Sequence, residues 1–305
     1  MSSMLAPAAA PAPRPTLKTW LMAARPKTLT AALVPVMVGT ALAFGLGVGR
    51  WLPALAALVG AMFIQVGTNL TNDYFDFKKG ADTEERVGPR RVTQSGLIAP
   101  ETVLASALAC FGLAVLTGVY LVGVGGWPIV AIGVASVLSG YAYTGGPYPL
   151  AYHGLGDVFV FVFFGLVAVP GTFYVQALTV SPAAWSAAVP VGAIGTALLV
   201  VNNLRDAATD VKAGKRTLVV RWGTTAGKVE YALLLALAYA TPLGMWALDQ
   251  ASPGVFLAWL SAPLAVPLLR QVGGQRGAAL NPTLGGTARL QLVFGVLFSV
   301  GLWWR

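Results

Sequence analysis

Long apolar stretches alternate with short polar segments along the whole of this 305-residue chain. A helix that crosses the hydrocarbon core of a bilayer needs about 20 mainly apolar residues. Windows of that kind lie at 28–48, 51–72, 102–123, 127–144, 157–178, 184–204, 227–248, 253–272 and 287–304. The pattern predicts an all-α polytopic membrane protein, a bundle of nine transmembrane helices.

Composition excludes a soluble globular protein. Hydrophobic residues make up 56% of the chain and charged residues only 10%, whereas charged residues make up about 25% of an average soluble domain. The 36 glycines fit the close packing of membrane helices. The one cysteine, Cys110, lies within an apolar window, so the chain has no intrachain disulfide and no cysteine-based metal site.

The basic residues predict the orientation in the membrane. Lysines and arginines cluster before the first window, after the second, after the sixth and after the eighth, and only Arg50 and Arg305 fall on the other side. Basic residues accumulate on the cytoplasmic side of membrane proteins. We therefore expect a cytoplasmic N-terminus, an external C-terminus and an active face toward the cytoplasm, in the cell inner (cytoplasmic) membrane. The net charge of +9 follows from this bias, and with no base-stacking motif a nucleic-acid partner is not expected.

Two units are expected along the chain. Residues 1–19 include an Ala/Pro-rich stretch that cannot bury a core, and they are predicted to be a disordered tail. Residues 20–305 are predicted to form a single transmembrane domain. Its cytoplasmic loops are longer and more charged than the external ones, and loops on a rigid scaffold often carry function.

Two short acidic runs interrupt the apolar pattern. The first covers residues 69–76 and continues to Asp82, and the second covers residues 202–210; together they hold five of the eleven acidic residues. A carboxylate beside a membrane span is costly unless it is paired or binds a cation. The runs lie at the ends of the second and sixth windows. These windows are four membrane crossings apart, an even number, so both helices run in the same direction. The two runs can therefore face each other across one cavity.

The spacing within each run suits metal binding. If the helices continue, Asn69, Asn72, Asp73 and Asp76 share one face, as do Asn202, Asp206 and Asp210. Carboxylate and amide oxygens are hard ligands suited to Mg²⁺, which completes its shell with phosphate oxygens and water. The alternative is that these acids are solvated helix-end residues paired with nearby lysines and arginines. Because both runs combine acids with asparagine at helical spacing, we favour two metal ions around a single diphosphate.

Basic residues on the same face indicate an anionic ligand. Guanidinium groups match phosphate oxygens with paired hydrogen bonds. The candidates are Lys27, Arg86, Arg90, Arg91, Arg205, Lys215 and Arg216. Each alone is explained by membrane orientation, but the set interleaved with acids predicts a diphosphate pocket.

These motifs resemble the UbiA superfamily of intramembrane prenyltransferases. The resemblance rests on Asn72-Asp-Tyr-Phe-Asp76, Gly80-Ala-Asp82 and Asp206-x-x-x-Asp210. The longer interval before Asp82, with glycine at position 80, is similar to the 1,4-dihydroxy-2-naphthoate prenyltransferases of menaquinone synthesis. That branch is also similar at Arg25-Pro-Lys-Thr-Leu29, Gly88-Pro-Arg90, Gln94-x-Gly96, Gly154-Leu-Gly-Asp157, Asn203-Leu-Arg-Asp206, Gly214-Lys-Arg-Thr217 and Asn281-Pro282.

The resemblance implies a nine-helix fold, a Mg²⁺ cofactor and an aromatic prenyl transfer. The implied metal ligands are Asn72, Asp73, Asp76, Asp82, Asp206 and Asp210, with Asp73, Asp76, Asp206 and Asp210 essential for catalysis. The implied substrate-binding residues are Lys27, Asn69, Arg86, Arg90, Arg91, Asp157, Asn203, Arg205, Lys215 and Arg216. The expected partners are polyprenyl diphosphate, 1,4-dihydroxy-2-naphthoate and the lipid bilayer, and the expected product is demethylmenaquinol, formed with loss of CO₂ and diphosphate.

Several points stay open from the sequence. The acceptor contacts could involve Lys27, Asp157, His153 or Tyr148, although His153 is more often an incidental surface residue and Asp157 is equally explained as a helix-start acid. The same scaffold could instead use 4-hydroxybenzoate or homogentisate. No motif sets the prenyl chain length, the oligomeric state or a general base.

An ion-coupled transporter is the alternative from another class. Transport sites usually lie near the middle of the membrane, whereas every aspartate here lies at or beyond the end of an apolar window. The positions of the acids therefore favour an enzyme.

Overall fold

The computed structural model describes residues 15–81 and 86–304, and in this part of the chain every regular element is helical. The α-helices are α1 (Leu17–Ala24), α2 (Pro26–Gly45), α3 (Trp51–Lys78), α4 (Pro100–Gly125), α5 (Trp127–Ala142), α6 (Gly156–Val160), α7 (Ala168–Ala177), α8 (Pro182–Lys212), α9 (Leu218–Ala247), α10 (Ala262–Gly274) and α11 (Asn281–Trp303). A π-helical segment, Phe161–Val167, joins α6 to α7. Short 3₁₀ helices cover Leu150–His153, Pro253–Ser261 and Gly277–Leu280. The predicted all-α class is confirmed.

Within the described residues, eight helical segments are long and apolar enough to cross a membrane. They are Pro26–Gly45, Trp51–Lys78, Pro100–Gly125, Gly156–Ala177, Pro182–Lys212, Leu218–Ala247, Pro253–Gly274 and Gly277–Trp303. The remaining predicted window coincides with α5, which has 16 residues and is shorter than a usual span. The polytopic membrane fold is confirmed, while the count of nine spans stays a prediction.

Helix α8 forms the centre of the bundle. It contacts α2, α6, the π-helical segment, α7, α9 and α11. Much of its buried surface is alanine and glycine, including Ala184, Ala188, Gly192 and Ala197. Small side chains let helix backbones approach closely in a membrane protein, where packing rather than water exclusion holds the helices together.

Two glycines bring α8 close to the π-helical segment. A Cβ atom at Gly165 of the π-helical segment would lie 2.8 Å from the Ala188 carbonyl oxygen, and one at Gly192 would lie 2.8 Å from the Phe161 carbonyl oxygen. Any larger side chain at either position must push the two backbones apart. This contact fixes α8 against the π-helical segment, which directly follows α6, the helix that carries Asp157.

Several helices extend beyond the apolar windows. Helix α3 continues to Lys78 and α8 to Lys212, so both acidic runs are helical within the described residues. Helix α11 begins at Asn281, ahead of the last predicted window at 287–304, with proline in its first turn, a position where proline's fixed φ favours a helix. Residues 17–19, assigned to the disordered tail, form the first turn of α1, which Thr16 caps by accepting a hydrogen bond from the Thr19 amide at 3.3 Å.

The two ends of the bundle differ in composition. We call the end at which α3 and α8 finish the acidic end, and the opposite end the tryptophan end. Seven of the nine tryptophans lie at the tryptophan end: Trp51, Trp127, Trp185, Trp246, Trp259, Trp303 and Trp304. Some pack together there, as in the Phe44–Trp51 pair at 4.3 Å and the Trp51–Trp303 pair at 6.2 Å between ring centroids. Such a belt is typical of a membrane–water interface.

The packing of α8 gives a first prediction. Replacing Gly192 by leucine should lower the free energy of unfolding by about 1–3 kcal/mol, because the side chain must displace the π-helical segment. The measurement is the thermal unfolding midpoint of the purified protein in detergent. Gly112→Leu is the control, since Gly112 is an exposed residue of α4 at which a Cβ atom would meet no atom within 4 Å. Equal midpoints for the two variants would contradict the packing argument.

Candidate active site

A charged cavity of about 380 Å³ opens at the acidic end between α2, α3, α8 and the loops that follow α3, α5 and α8. Among the described residues, seven cationic side chains and four carboxylates line it. The cations are Arg25, Lys27, Arg86, Arg90, Arg91, Arg205 and Lys215, and the acids are Asp76, Asp157, Asp206 and Asp210. The excess of positive charge fits an anionic ligand.

Asp76 has partners on three sides in the cavity. Its side chain is almost fully buried, with 2% of the residue exposed. It accepts hydrogen bonds from the Tyr152 hydroxyl at 2.9 Å and from Arg91 Nη2 at 3.3 Å, and Lys215 Nζ lies at 3.1 Å. A buried carboxylate is stable only with such partners. Asp76 thereby ties the end of α3 to three separate loops.

Tyr152 organises the cations next to Asp76. Lys79 Nζ and Lys215 Nζ lie 4.4 Å and 4.9 Å from the centroid of its ring, within the range of cation–π attraction. Lys79 also donates to the Thr144 carbonyl at 2.6 Å. Burial lowers the pKa of Lys79 below its usual value, and the charge of Asp76 opposes that shift.

Asn72 lies one turn before Asp76 and faces the same cavity. Its Oδ1 accepts a hydrogen bond from Thr144 Oγ1 at 2.8 Å. This contact joins α3 to the loop after α5. It also fixes the side-chain orientation, since the amide oxygen is the atom that accepts.

On the facing helix, Asn202, Asp206 and Asp210 follow one another at intervals of four residues and all line the cavity. The convergence of the two acidic runs on one cavity is therefore observed. Arg205 holds Asp206 with two hydrogen bonds, from Nε to Oδ1 at 2.7 Å and from Nη2 to Oδ2 at 2.6 Å. Paired contacts of this kind restrict the carboxylate to one orientation.

Arg205 also connects α8 to α11 and to the loop after α3. Its Nη1 donates to Asn281 Oδ1 at 3.2 Å, and Asn281 Nδ2 donates to the Val87 carbonyl at 3.0 Å. Gly88 passes over the guanidinium, so a Cβ atom there would lie 2.8 Å from Arg205 Nη2. The contacts with Arg205 therefore explain why the motifs have glycine at 88 and asparagine at 281.

Neither Asp73 nor Asn69 lines the charged cavity. The Asp73 carboxylate is buried and accepts hydrogen bonds from the backbone amides of Val92 and Thr93 at 3.3 Å and 3.2 Å. Asn69 donates to the Ala24 carbonyl at 2.9 Å and to Thr28 Oγ1 at 3.0 Å. Asp73 directly follows Asn72, and neighbouring positions on a helix differ in direction by about 100°, so the expectation of a shared face is wrong for Asp73. Asn69 lies about two turns deeper than Asp76 and lines the adjacent, more apolar cavity together with Asn72.

The other predicted site residues divide into two groups. Lys27, Arg86, Arg90 and Arg91 line the cavity, as do Asp157 and Asn203, whose side chains are joined by a 3.4 Å hydrogen bond. Outside its lining lie Arg216, an exposed residue, and the pair His153 and Tyr148, whose rings stack at 3.7 Å. Asp82 lies outside the described residues.

The donor set fits magnesium only in combination with a ligand. Among the described residues, no three His, Cys, Asp or Glu side chains group closely enough to hold a metal alone. Mg²⁺ commonly uses one or two carboxylates and takes its other oxygens from phosphate and water. Asn72, Asp76, Asp206 and Asp210, which line one cavity from two facing helices, supply oxygens of this kind.

Sequence reasoning missed Tyr152, Thr144 and the role of Arg25. Tyr152 and Thr144 lie in a loop with little charge, and no spacing rule links them to Asp76 and Asn72. Arg25 was visible as a motif residue, but its left-handed backbone (φ 54°) and its hydrogen bond to the Asn69 carbonyl at 3.2 Å appear only in the fold.

Comparison with known proteins agrees with this geometry. Residues 32–281 match the UbiA prenyltransferase family. The chain is 39% identical to 1,4-dihydroxy-2-naphthoate octaprenyltransferase of Mycobacterium tuberculosis, covering 93% of this chain and 96% of the relative. It is 36% identical to the Bacillus subtilis protein of the same name, covering 91% of this chain and 90% of the relative.

A solved structure shares the fold at low sequence identity. The UbiA homologue from Archaeoglobus fulgidus bound to DMAPP and Mg²⁺ superposes with a TM-score of 0.64 at 16% identity, covering 92% of this chain and 99% of that one. The family match over most of the chain and the two close relatives lead to one conclusion. This chain is a member of the UbiA prenyltransferase family.

Proposed function

We propose that this enzyme transfers a polyprenyl group from its diphosphate to 1,4-dihydroxy-2-naphthoate, releasing CO₂ and diphosphate and giving demethylmenaquinol for menaquinone biosynthesis. The observation that carries the proposal is the cavity that seven cations of the described residues line together with oxygen donors from α3 and α8. Relatives at 36–39% identity carry the name 1,4-dihydroxy-2-naphthoate octaprenyltransferase, which supports this acceptor.

The cations of the cavity bind the diphosphate of the donor. Arg86, Arg90 and Lys215 line the cavity and can each donate to phosphate oxygens. Arg91 and Arg205 are buried and hold Asp76 and Asp206, so they orient the acids and add positive charge to the cavity wall. Mg²⁺ held by Asn72, Asp76, Asp206 and Asp210 would neutralise the charge that develops on the leaving diphosphate.

Asp73 has a positioning role in this proposal. Its carboxylate holds the amides of Val92 and Thr93, which follow Arg91 directly. The hydrogen bonds fix the loop from which Arg86, Arg90 and Arg91 reach the cavity. Loss of Asp73 should therefore weaken diphosphate binding through the loop.

The bond changes balance without a further reactant. The allylic carbon–oxygen bond of the donor breaks and its electron pair leaves with diphosphate. The electron-rich ring forms a carbon–carbon bond at its carboxyl-bearing carbon, and CO₂ departs, returning its bonding electrons to the ring. Aromatic and aliphatic side chains below the charged cavity, including Phe159, Phe163 and Leu198, exclude water that would otherwise quench the cation.

The acceptor carboxylate is best placed near Arg25 and Lys27. Both residues line the cavity at its α2 side, beside Thr28. Asp157 and Asn203 line the α8 side and offer an acceptor and a donor to ring hydroxyls. His153 and Tyr148 lie outside the lining, so the proposal gives them no substrate contact.

For the topology we propose nine spans, a cytoplasmic N-terminus and an external C-terminus in the inner membrane. Two contacts support α5 as a crossing. At the tryptophan end, near the start of α5, the Tyr174 hydroxyl donates to the Gly125 carbonyl at 2.8 Å. At the acidic end, just after α5, Thr144 contacts Asn72. The basic residues around the charged cavity support a cytoplasmic acidic end.

The acids of the cavity give a direct prediction. Asp76→Asn and Asp206→Asn should each lower kcat/KM by at least about 100-fold, because each removes a charge that organises the diphosphate and its cation. The measurement is radiolabelled prenyl transfer by the purified enzyme. Glu101→Gln is the matched control, since Glu101 is an acid with 77% side-chain exposure whose nearest cation, Lys78, lies at 4.0 Å. Full activity in both aspartate variants would contradict the assignment of this cavity as the active site.

We expect both prenyl transfer and binding of the prenyl diphosphate to require Mg²⁺. Chelation with EDTA should abolish prenyl transfer, and added Mg²⁺ should restore it, because phosphate oxygens complete the metal shell. A thermal-shift titration with prenyl diphosphate should show stabilisation only when Mg²⁺ is present. Equal stabilisation with and without the metal would argue that the cations alone bind the diphosphate.

Acceptor identity is tested by offering each candidate acceptor separately. Membranes containing the enzyme are incubated with one prenyl diphosphate and with 1,4-dihydroxy-2-naphthoate, 4-hydroxybenzoate or homogentisate in turn. We expect a prenylated, decarboxylated product only from the naphthoate. A product from hydroxybenzoate alone would overturn the acceptor while leaving the prenyl-transfer chemistry intact.

A further inference from the structure

Arg221 lies in the first turn of α9, outside the lining of the charged cavity. Its Nε donates to the Arg216 carbonyl at 3.0 Å, and its Nη2 donates to the His153 carbonyl at 2.9 Å. His153 ends the 3₁₀ helix in the loop after α5, and Arg216 lies in the loop after α8. One guanidinium therefore fastens together two loops that are far apart in the sequence.

Two further contacts join the same loops. The Arg216 amide donates to the Tyr152 carbonyl at 3.0 Å. Gly154 packs against the Arg216 carbonyl, and a Cβ atom there would lie 2.7 Å from that oxygen and 3.1 Å from Arg221 Nε. The loops thus meet at backbone distance, and Arg221 holds the contact from the outside.

The local backbone aims Arg221 at this contact. Thr217 caps the start of α9 by accepting a hydrogen bond from the Val220 amide at 3.3 Å. Gly223 has a non-helical backbone (φ 85°, ψ 165°) that separates the first turn from the rest of α9, a conformation that glycine adopts readily. The cap and the kink, rather than the long axis of α9, therefore set the direction of the turn that carries Arg221.

Both fastened loops deliver a side chain to Asp76. Tyr152 precedes His153, and Lys215 precedes Arg216. The Tyr152 hydroxyl and Lys215 Nζ lie 2.9 Å and 3.1 Å from Asp76 Oδ1. Moving either loop would displace a partner of Asp76, and moving the loop after α8 would also displace a cation of the cavity.

Resting on the proposed function, we propose that Arg221 is a positioning residue for the prenyl donor. It fastens the two loops so that Tyr152 and Lys215 stay on Asp76, and it touches neither substrate itself. The same contact accounts for the motif residue Arg216. Its side chain is exposed outside the cavity lining, while its backbone amide and carbonyl both join the loops.

Only the donor side of the site depends on this contact. Arg25 and Lys27, beside which the acceptor carboxylate is placed, reach the cavity from the start of α2. Release of the two loops leaves both residues in place. Loss of Arg221 should therefore weaken binding of the diphosphate and spare binding of the acceptor.

The test measures the two Michaelis constants separately, with geranyl diphosphate and 1,4-dihydroxy-2-naphthoate as substrates of the purified enzyme. In Arg221→Ala we expect the KM for the diphosphate to rise at least about fivefold and that for the naphthoate to stay within about twofold, because only the donor loses positioned contacts. The control is Arg270→Ala, which removes an exposed cation of α10 outside the cavity lining and should change neither constant.

Arg221→Lys separates position from charge. Lysine keeps the positive charge but has one ammonium in place of the planar fork that reaches two carbonyls. We expect it to raise the KM for the diphosphate as well. A lysine variant with the wild-type constant would show that charge alone matters, and would overturn the proposal.

A pair of glycine variants disturbs the same contact without touching Arg221. Gly154 and Gly146 both lie in the loop after α5 with a left-handed backbone, at φ 71° and 73°. A Cβ atom at Gly146 would meet no atom within 4 Å, so Gly146→Ala carries similar backbone strain without the clash. Gly154→Ala should reproduce the effect of Arg221→Ala on the diphosphate, and Gly146→Ala should not. Equal effects of the two variants would contradict the proposal.

Combining Arg221→Ala with Tyr152→Phe tests the route of action. Tyr152→Phe removes the hydroxyl that donates to Asp76. If Arg221 acts through this loop, the double variant should raise the KM for the diphosphate by less than the product of the two single effects, since both changes remove the same contact. Fully multiplicative effects would overturn the proposal.

Two further outcomes would overturn it: an unchanged KM for the diphosphate in folded Arg221→Ala, or an equal rise in both constants. The thermal unfolding midpoint of each purified variant establishes that it is folded, and Arg221→Lys and Gly154→Ala decide if Arg221→Ala is not. A wild-type enzyme that transfers no prenyl group to the naphthoate would refute the proposed function. An active wild type with unaffected variants would refute only the role of Arg221.

Discussion

The buried charge of Asp76 is the constraint on which the acidic end of this protein depends. A carboxylate that is 2% exposed beside a membrane span is stable only when donors surround it. Tyr152, Arg91 and Lys215 come from three different loops, and all three converge on this one side chain. Satisfying Asp76 therefore closes the loops over the cavity and brings their cations together.

A second pairing completes the cavity from the other helix. Arg205 holds Asp206 with two hydrogen bonds, contacts Asn281 on α11 and lies beneath Gly88. Loops that are far apart in sequence thus meet at one guanidinium. The same charges that stabilise the folded loops also form the ligand-binding surface, so stability and function cannot be separated at Arg205.

Packing within the membrane follows a different logic from that of the charged end. Gly165 and Gly192 bring the π-helical segment against α8, whereas a Cβ atom at Gly118 or Gly133 would meet no atom within 4 Å. Glycine is therefore required for close backbone contact at the first two positions and not at the other two. Only the neighbours of each glycine distinguish the two cases.

The sequence by itself determined the all-α membrane fold, the shared direction of α3 and α8, and the pattern of acids and cations at one end. These properties are local, since they depend on the length of apolar segments, on the parity of crossings and on residue spacing within a helix. The tertiary structure decided which of these residues meet. It turned Asp73 toward the loop amides, placed Arg216 outside the cavity lining, and introduced Tyr152 and Thr144 as partners. Such contacts join residues 19 to 76 positions apart, and only the folded packing of loops on helices specifies them.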